Sequence, residues 1–103
     1  MKMNDMLKQA QQMQARMMQI QEKLGEETVE GSAAGGLVKA VITGQSTLVE
    51  LKIDPEVINP EEPEVLEDLI LVAVNDGLEK SRELANSRMG VLSNALGSLG
   101  LGF

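Results

Sequence analysis

Few residues of this chain can do chemistry. Histidine and cysteine are absent from all 103 positions, so no nucleophile–base pair can form and neither residue can ligate a metal. Catalysis would fall to carboxylates such as Glu61 and Glu64. These sit in a proline-rich connector without companion pocket residues, so no catalytic site, metal, cofactor or small-molecule substrate is expected. Residues 31–36, Gly-Ser-Ala-Ala-Gly-Gly, lack the spacing of a phosphate-cradling loop and join strands rather than open a helix. Cations and amides remain. Lys2, Lys8 and Arg16 lie near the start of the chain, and Lys80, Arg82 and Arg88 lie toward its end. Such side chains attract phosphates without reference to base sequence, with counterion release supplying the free energy. Between the early cations stands a run of glutamines that includes Gln12 and Gln19. Glutamine can hydrogen-bond phosphate or pair with adenine in the major groove.

The net charge of −7 opposes contact with a polyanion, but the charge is unevenly spread. Residues 1–25 carry four basic side chains against two acidic ones, and the rest of the chain carries five against fourteen. The basic excess therefore belongs to one element, and that element decides which face can meet a polyanion. Tryptophan and tyrosine are absent and Phe103 is the only aromatic residue, so no platform exists for stacking unpaired bases. Phosphates and grooves of a duplex are the accessible targets. No apolar run approaches the ~18 residues of a membrane span, no secretory leader is evident, and the expected location is the cytosol.

The elements that must position these residues follow from periodicity. Residues 4 to about 24 predict one helix, because Met6, Ala10, Met13, Met17, Ile20 and Leu24 recur with a period near 3.5. Gly25 stands where a helix stop is expected. At ~1.5 Å per residue this helix is about 30 Å long, so part of it should project from so small a domain. Residues 28–30 predict a first strand, 31–36 a turn or bulge, 37–43 a second strand and 48–53 a third. Apolar residues on both faces of this meander, with Val41 and Leu37 on the second, call for a second subunit as cover. A Pro/Glu connector spans 55–63. A second long helix runs from Pro63 to Arg88, with Glu64, Glu67 and Asp68 suited to its positive N-terminal end. The reading is one α+β domain over residues 1–88, followed by a Gly-rich, apolar, flexible tail over 89–103.

The order of these segments resembles a known family. A Met/Gln helix is followed by Val-Glu-Gly-Ser-Ala-Ala-Gly-Gly-Leu-Val-Lys at 29–39 and a meander ending Ile53-Asp54-Pro55. Leu66-Glu67-Asp68-Leu69-Ile70 and Val74-Asn75-Asp76 complete the set. Over about residues 5 to 90 the chain is similar to the YbaB/EbfC family of bacterial nucleoid-associated proteins. The family usually has a third glycine at the place of Ala34 and an alanine at the place of Gly77. The resemblance implies α-β-β-β-α chains that pair through their sheets into a tweezer-like homodimer whose helices hold double-stranded DNA. It also implies a place in the nucleoid and a role in nucleoid organisation, gene regulation or DNA repair. Antiparallel packing of the two helices would gather Lys2, Lys8, Lys80, Arg82 and Arg88 at one end of an arm, with Arg16, Gln12 and Gln19 along it. Glu61, Glu62, Glu64, Glu67 and Asp68 would fall at the other end. The rival reading is a protein–protein adaptor whose Met/Gln helix zips to another helix.

Overall fold

A computed structural model describes the backbone of residues 3–98 and the side chains of residues 3–90; Lys2 and residues 99–103 lie outside the described residues. The order is α1 (Met3–Glu26), β1 (Thr28–Ala33), β2 (Val38–Thr43), β3 (Leu48–Ile53) and α2 (Pro63–Ser98). Short 3₁₀ turns lie at Ala34–Gly36 and Pro55–Val57. The three strands form one antiparallel sheet in the order β1-β2-β3. This is the α+β meander flanked by two long helices that the periodicity predicts.

Three boundaries differ from the sequence reading. Gly31, Ser32 and Ala33 are not turn but strand, paired with Ala40, Lys39 and Val38. The turn is compressed into Ala34, Gly35 and Gly36, all with left-handed φ (54°, 68° and 96°). α1 passes through Gly25 to Glu26. α2 continues to Ser98 rather than stopping at Arg88. No proline follows Pro63 to break it, and Met89, Leu92, Ala95 and Leu96 are good helix formers. Much of the expected tail is thus helical backbone.

The core lies between α2 and one face of the sheet. Val38, Ala40 and Ile42 of β2, Ala33 of β1 and Ala73 of α2 are buried together, with Val29, Ile53, Leu66, Ile70 and Val74 packed around them. α2 lies chiefly across β1 and β2. It lies so close that a Cβ built on Gly31 would stand 2.1 Å from the Ala73 carbonyl oxygen and 2.2 Å from the Gly77 nitrogen. Helix backbone here touches strand backbone, which only a residue without a side chain permits.

The opposite face of the sheet is not the apolar surface that the sequence suggests. Register places Ser32, Lys39 and Lys52 side by side there, and beside them Glu30, Val41 and Glu50. Lys39 pairs with Glu30 at 3.6 Å and Lys52 with Glu50 at 3.7 Å. Only Val41 is apolar in those two rows, so the face is charged and solvated. The uncovered apolar groups are elsewhere. Leu48, Val49 and Leu51 of β3 are exposed, as is Leu71 of α2. Leu48 and Leu51 stand opposite Ile42 and Ala40, on the core side. Leu71, Val74 and Leu78 share the flank of α2 turned away from Asp76, which reaches β1. Exposed apolar groups are therefore left on β3 and on the flank of α2 that faces away from β1.

Two substitutions test this packing. Gly31→Ala should cost about 3 kcal/mol or more, because two backbone segments must separate to admit a methyl group. Ala34→Gly should stabilise by about 1 kcal/mol, since a left-handed non-glycine residue is strained by about 1–2 kcal/mol. Denaturant unfolding of both variants reads the two effects.

Candidate nucleic-acid interface

α1 has two unlike faces. One carries Met3, Met6, Ala10, Met13, Met17, Ile20 and Leu24, of which Leu24 is buried, Met13 and Ile20 are half-buried and the rest exposed. The other carries Lys8, Gln12, Arg16, Gln19 and Lys23, with Asp5 and Glu26 one turn beyond its two ends, all exposed. The spacings of four, four, three and four from Lys8 to Lys23 confine these five to an arc of about 80° of the helix and a length of about 22 Å. Lys23 completes this row, although the sequence reading does not single it out. The regular spacing is the signal that identifies it.

The root of α1 is fixed by the β2–β3 turn. The Gly44 amide donates to the carbonyls of Leu24 (2.8 Å) and Glu27 (3.0 Å). The Gln45 side-chain amide donates to the Gln21 carbonyl at 2.5 Å. A Cβ on Gly44 would meet the Leu24 oxygen at 2.7 Å, so this approach also demands glycine. From below, the buried Ser81 hydroxyl of α2 donates to the Thr43 carbonyl at 2.7 Å and lies 3.3 Å from the Ser46 hydroxyl. Arg88 grips Glu27 through Nη2–Oε1 (2.6 Å) and Nε–Oε2 (3.3 Å). Ser81 is a second residue the sequence reading misses. Its signal is a serine one turn beyond Ala73 and Gly77 on the buried face.

Beyond this root, α1 projects. The molecule is 71 Å long and only 20 × 16 Å across, with a radius of gyration of 19.8 Å, against about 13 Å for a compact chain of this size. At ~1.5 Å per residue, α2 from Pro63 to Arg88 spans about 39 Å and α1 about 36 Å. Their sum nearly matches the long axis, so α1 points away from the end where α2 begins. Glu61, Glu62, Glu64, Glu67 and Asp68, all exposed but none in α1, lie at that far end.

The expected gathering of cations at a single tip does not occur. Arg88 sits at the root of α1, about 27 Å along the helix from Lys8. Lys80 lies at the sheet, 3.0 Å from the Glu30 carbonyl and 3.2 Å from Asp76. Arg82 is exposed on α2, and Lys2 lies outside the described residues. Ion pairs sort the cations further. Lys39, Lys52, Lys80 and Arg88 each pair with a carboxylate, whereas among the described residues Lys8, Arg16, Lys23 and Arg82 make no salt bridge. The cations left available are those of α1, together with Arg82.

Asp76 and Lys80 act on the free edge of β1. The Ser32 amide donates to Asp76 at 3.0 Å while Lys80 donates to the Glu30 carbonyl. Both backbone groups point away from β2, so these two side chains occupy the place of a neighbouring strand and close that edge to pairing. No group of three or more Asp or Glu side chains able to hold a metal occurs among the described residues. Nor, among them, is any helix long and apolar enough to cross a membrane.

Fold and site define a small α+β protein that carries a glutamine-rich helix, with a row of unpaired cations, clear of an acidic body. The chain belongs to the YbaB/EbfC DNA-binding family, whose pattern matches residues 1–96; this is a DNA-binding family, not an enzyme family. It is 44% identical over 99 residues to a nucleoid-associated protein of Pelotomaculum thermopropionicum, covering 96% of this chain and 94% of that one. It is 47% identical over 94 residues to a nucleoid-associated protein of Bacillus thuringiensis, covering 91% and 86%. The crystal structure of an uncharacterized protein of Helicobacter pylori superposes with a TM-score of 0.75 at 25% identity, over 93% of this chain and 98% of that one.

The hydrogen bond from Ser32 and, next, the contact with Lys80 hold the Asp76 carboxyl below its usual range. A depressed carboxylate contributes stability above its unfolded pKa of about 3.9 and loses it as pH falls through the folded value. Asp76→Asn should therefore melt lower than the parent at neutral pH. The gap should close once the solution is acid enough to protonate Asp76 in the folded parent, as thermal melts across that range would show.

Proposed function

We propose that two copies of this chain pair into a homodimer whose projecting α1 helices hold duplex DNA in the nucleoid. Lys8, Arg16 and Lys23 contact phosphates, with Arg82 supporting them from α2. Gln12 and Gln19 sit in the same row, where they hydrogen-bond phosphates or touch adenine edges. One observation carries this reading: the unpaired basic and glutamine row of α1 stands clear of a body whose other cations are mostly committed to carboxylates. Contacts of this kind neutralise charge without reading sequence, so little base specificity follows. The missing aromatic set favours duplex over single strands. In this arrangement Lys80 and Arg88 act as ties within the chain rather than as DNA contacts.

The pairing surface we assign comprises Leu48 and Leu51 on β3 with Leu71 on α2. These groups are exposed in the single chain, and β3 is the sheet edge opposite the one that Asp76 and Lys80 close. Burying such groups recovers about 25 cal/mol for each Å² of apolar surface removed from water. The charged sheet face contributes little, since exposed ion pairs are worth at most about 1 kcal/mol each.

Two experiments test the two halves separately. Sedimentation equilibrium should give twice the 11.1 kDa chain mass, and Leu51→Asp with Leu71→Asp should give a folded monomer. A parent that sediments as a folded monomer would remove the dimer. For DNA, Lys8→Gln, Arg16→Gln and Lys23→Gln together should weaken binding to unrelated duplexes alike. Each lost phosphate contact should reduce the log–log salt slope by about 0.9. Lys39→Gln with Lys52→Gln should change the slope little. Equal losses from arm and sheet would refute the arm as the contact surface. A chain that binds no duplex at low salt, yet retains a protein partner regardless of salt, would favour the adaptor reading, for which the exposed Met3, Met6 and Met17 offer a face.

A further inference from the structure

α1 carries a second chemistry. Six of the seven methionines fall within residues 1–18, and no cysteine, histidine, tyrosine or tryptophan competes for an oxidant. Met3 is 78% exposed, Met18 62%, Met6 59% and Met17 42%, whereas Met13 is half-buried. Met17 and Met18 line an open, apolar groove of about 430 Å³ with Gln14, Gln21, Glu22 and Gln45. The groove lies against the root of the arm, where the Gln45 side chain holds the Gln21 carbonyl.

We propose that the thioethers of α1 are a reversible oxidation site for peroxides, and that oxidation of Met17 and Met18 loosens the seat of α1. The sulfur lone pair attacks one oxygen of hydrogen peroxide. The O–O bond breaks as the S–O bond forms, and the departing hydroxide takes the proton of the transferred oxygen to leave as water. Sulfur is oxidised by two electrons and the peroxide is reduced by two. The product is a sulfoxide, which methionine sulfoxide reductases return to the thioether. A flexible apolar side chain becomes polar and gains a strong hydrogen-bond acceptor. Gln14, Gln21 and Gln45 border the same groove, mainly through their carbon atoms, and their amides are the nearest side-chain donors. A sulfoxide oxygen in the groove competes with the Gln21 carbonyl for the Gln45 amide, and the oxygen's bulk and polarity pull the turn away from the helix. The row from Lys8 to Lys23 rides on the same helix, so a loosened seat lets the whole row swing relative to the body.

The effect on DNA rests on the reading that α1 holds duplex; the effect on stability does not. The test treats the full chain with hydrogen peroxide. It maps the gain of about 16 Da per oxygen by peptide mass, and follows thermal unfolding and duplex binding. Met3, Met6 and Met18 should oxidise first, and the half-buried Met13 last among the methionines of α1. The oxidised protein should melt lower and bind duplex severalfold more weakly, and a reductase should restore both. Met17→Leu with Met18→Leu preserves helix propensity and apolar character. This variant should keep its melting temperature and duplex binding after the same treatment while still gaining oxygen at Met3 and Met6. An unchanged melt of the oxidised parent, or an equal loss in the double variant, would overturn the proposal. Should the untreated protein fail to bind duplex, the reading of α1 as a DNA arm falls, and the melt comparison still decides the oxidation site.

Discussion

The contact between Gly31 of β1 and the backbone of α2 at Ala73 and Gly77 sets the geometry of everything else in the molecule. It brings helix and strand within a distance that no side chain at residue 31 could share, and so fixes where α2 crosses the sheet. With α2 held there, Asp76 and Lys80 reach the outer edge of β1 and Ser81 reaches the Thr43 carbonyl. The same placement draws α2 toward β1 and leaves Leu48 and Leu51 of β3 short of cover. Ser81 and Arg88 then steady the turn and the helix end that seat α1. Gly77 answers Gly31 from the other side, and its missing Cβ would stand 2.7 Å from Ile42 Cδ1. An alanine there gains helix propensity of about 1 kcal/mol but must push aside the flexible end of Ile42.

Charge is arranged around that frame by pairing as much as by count. The body is acidic, and four of its cations are engaged with carboxylates. These exposed pairs add little stability, yet they commit charge that would otherwise be offered outward. α1 balances Lys8, Arg16 and Lys23 against Asp5, Glu22 and Glu26, and holds its cations on the side turned away from the apolar seam. A polyanion therefore meets less repulsion along α1 than at the far end, where Glu61 to Asp68 cluster. In a chain of net charge −7, that distribution makes contact with DNA compatible with composition.

Much of this was legible in the sequence. The period of 3.5 in α1, the alternation in β2 and β3 and the prolines of the connector placed every element. The cations near the start pointed to α1, where Lys8, Arg16 and Lys23 make no salt bridge among the described residues. The misreadings have physical causes. Glycines at 31, 35 and 36 look alike in sequence, but the first sits in a strand for close packing while the others serve a left-handed turn. Val41 and Leu37 suggested a second apolar sheet face because the cross-strand partners, Glu30 and Glu50, are set by register. Lys80 and Arg88 looked available because their contacts with the Glu30 carbonyl and Glu27 depend on where α2 crosses the sheet, although the Asp76–Lys80 pair, four residues apart on one helix, follows from spacing alone. Lys23 went unremarked as a single residue and becomes meaningful only as the end of an evenly spaced row.

The central claim is that the exposed basic and glutamine row of α1 is the DNA contact surface. Titrating an isotopically labelled sample with a short duplex and following backbone amide resonances tests it most directly. Perturbations concentrated at Lys8, Gln12, Arg16, Gln19 and Lys23, with the strands of the sheet largely silent, are the result this account requires. Perturbations centred on Lys39 and Lys52 of the open sheet face, with α1 unmoved, would contradict it.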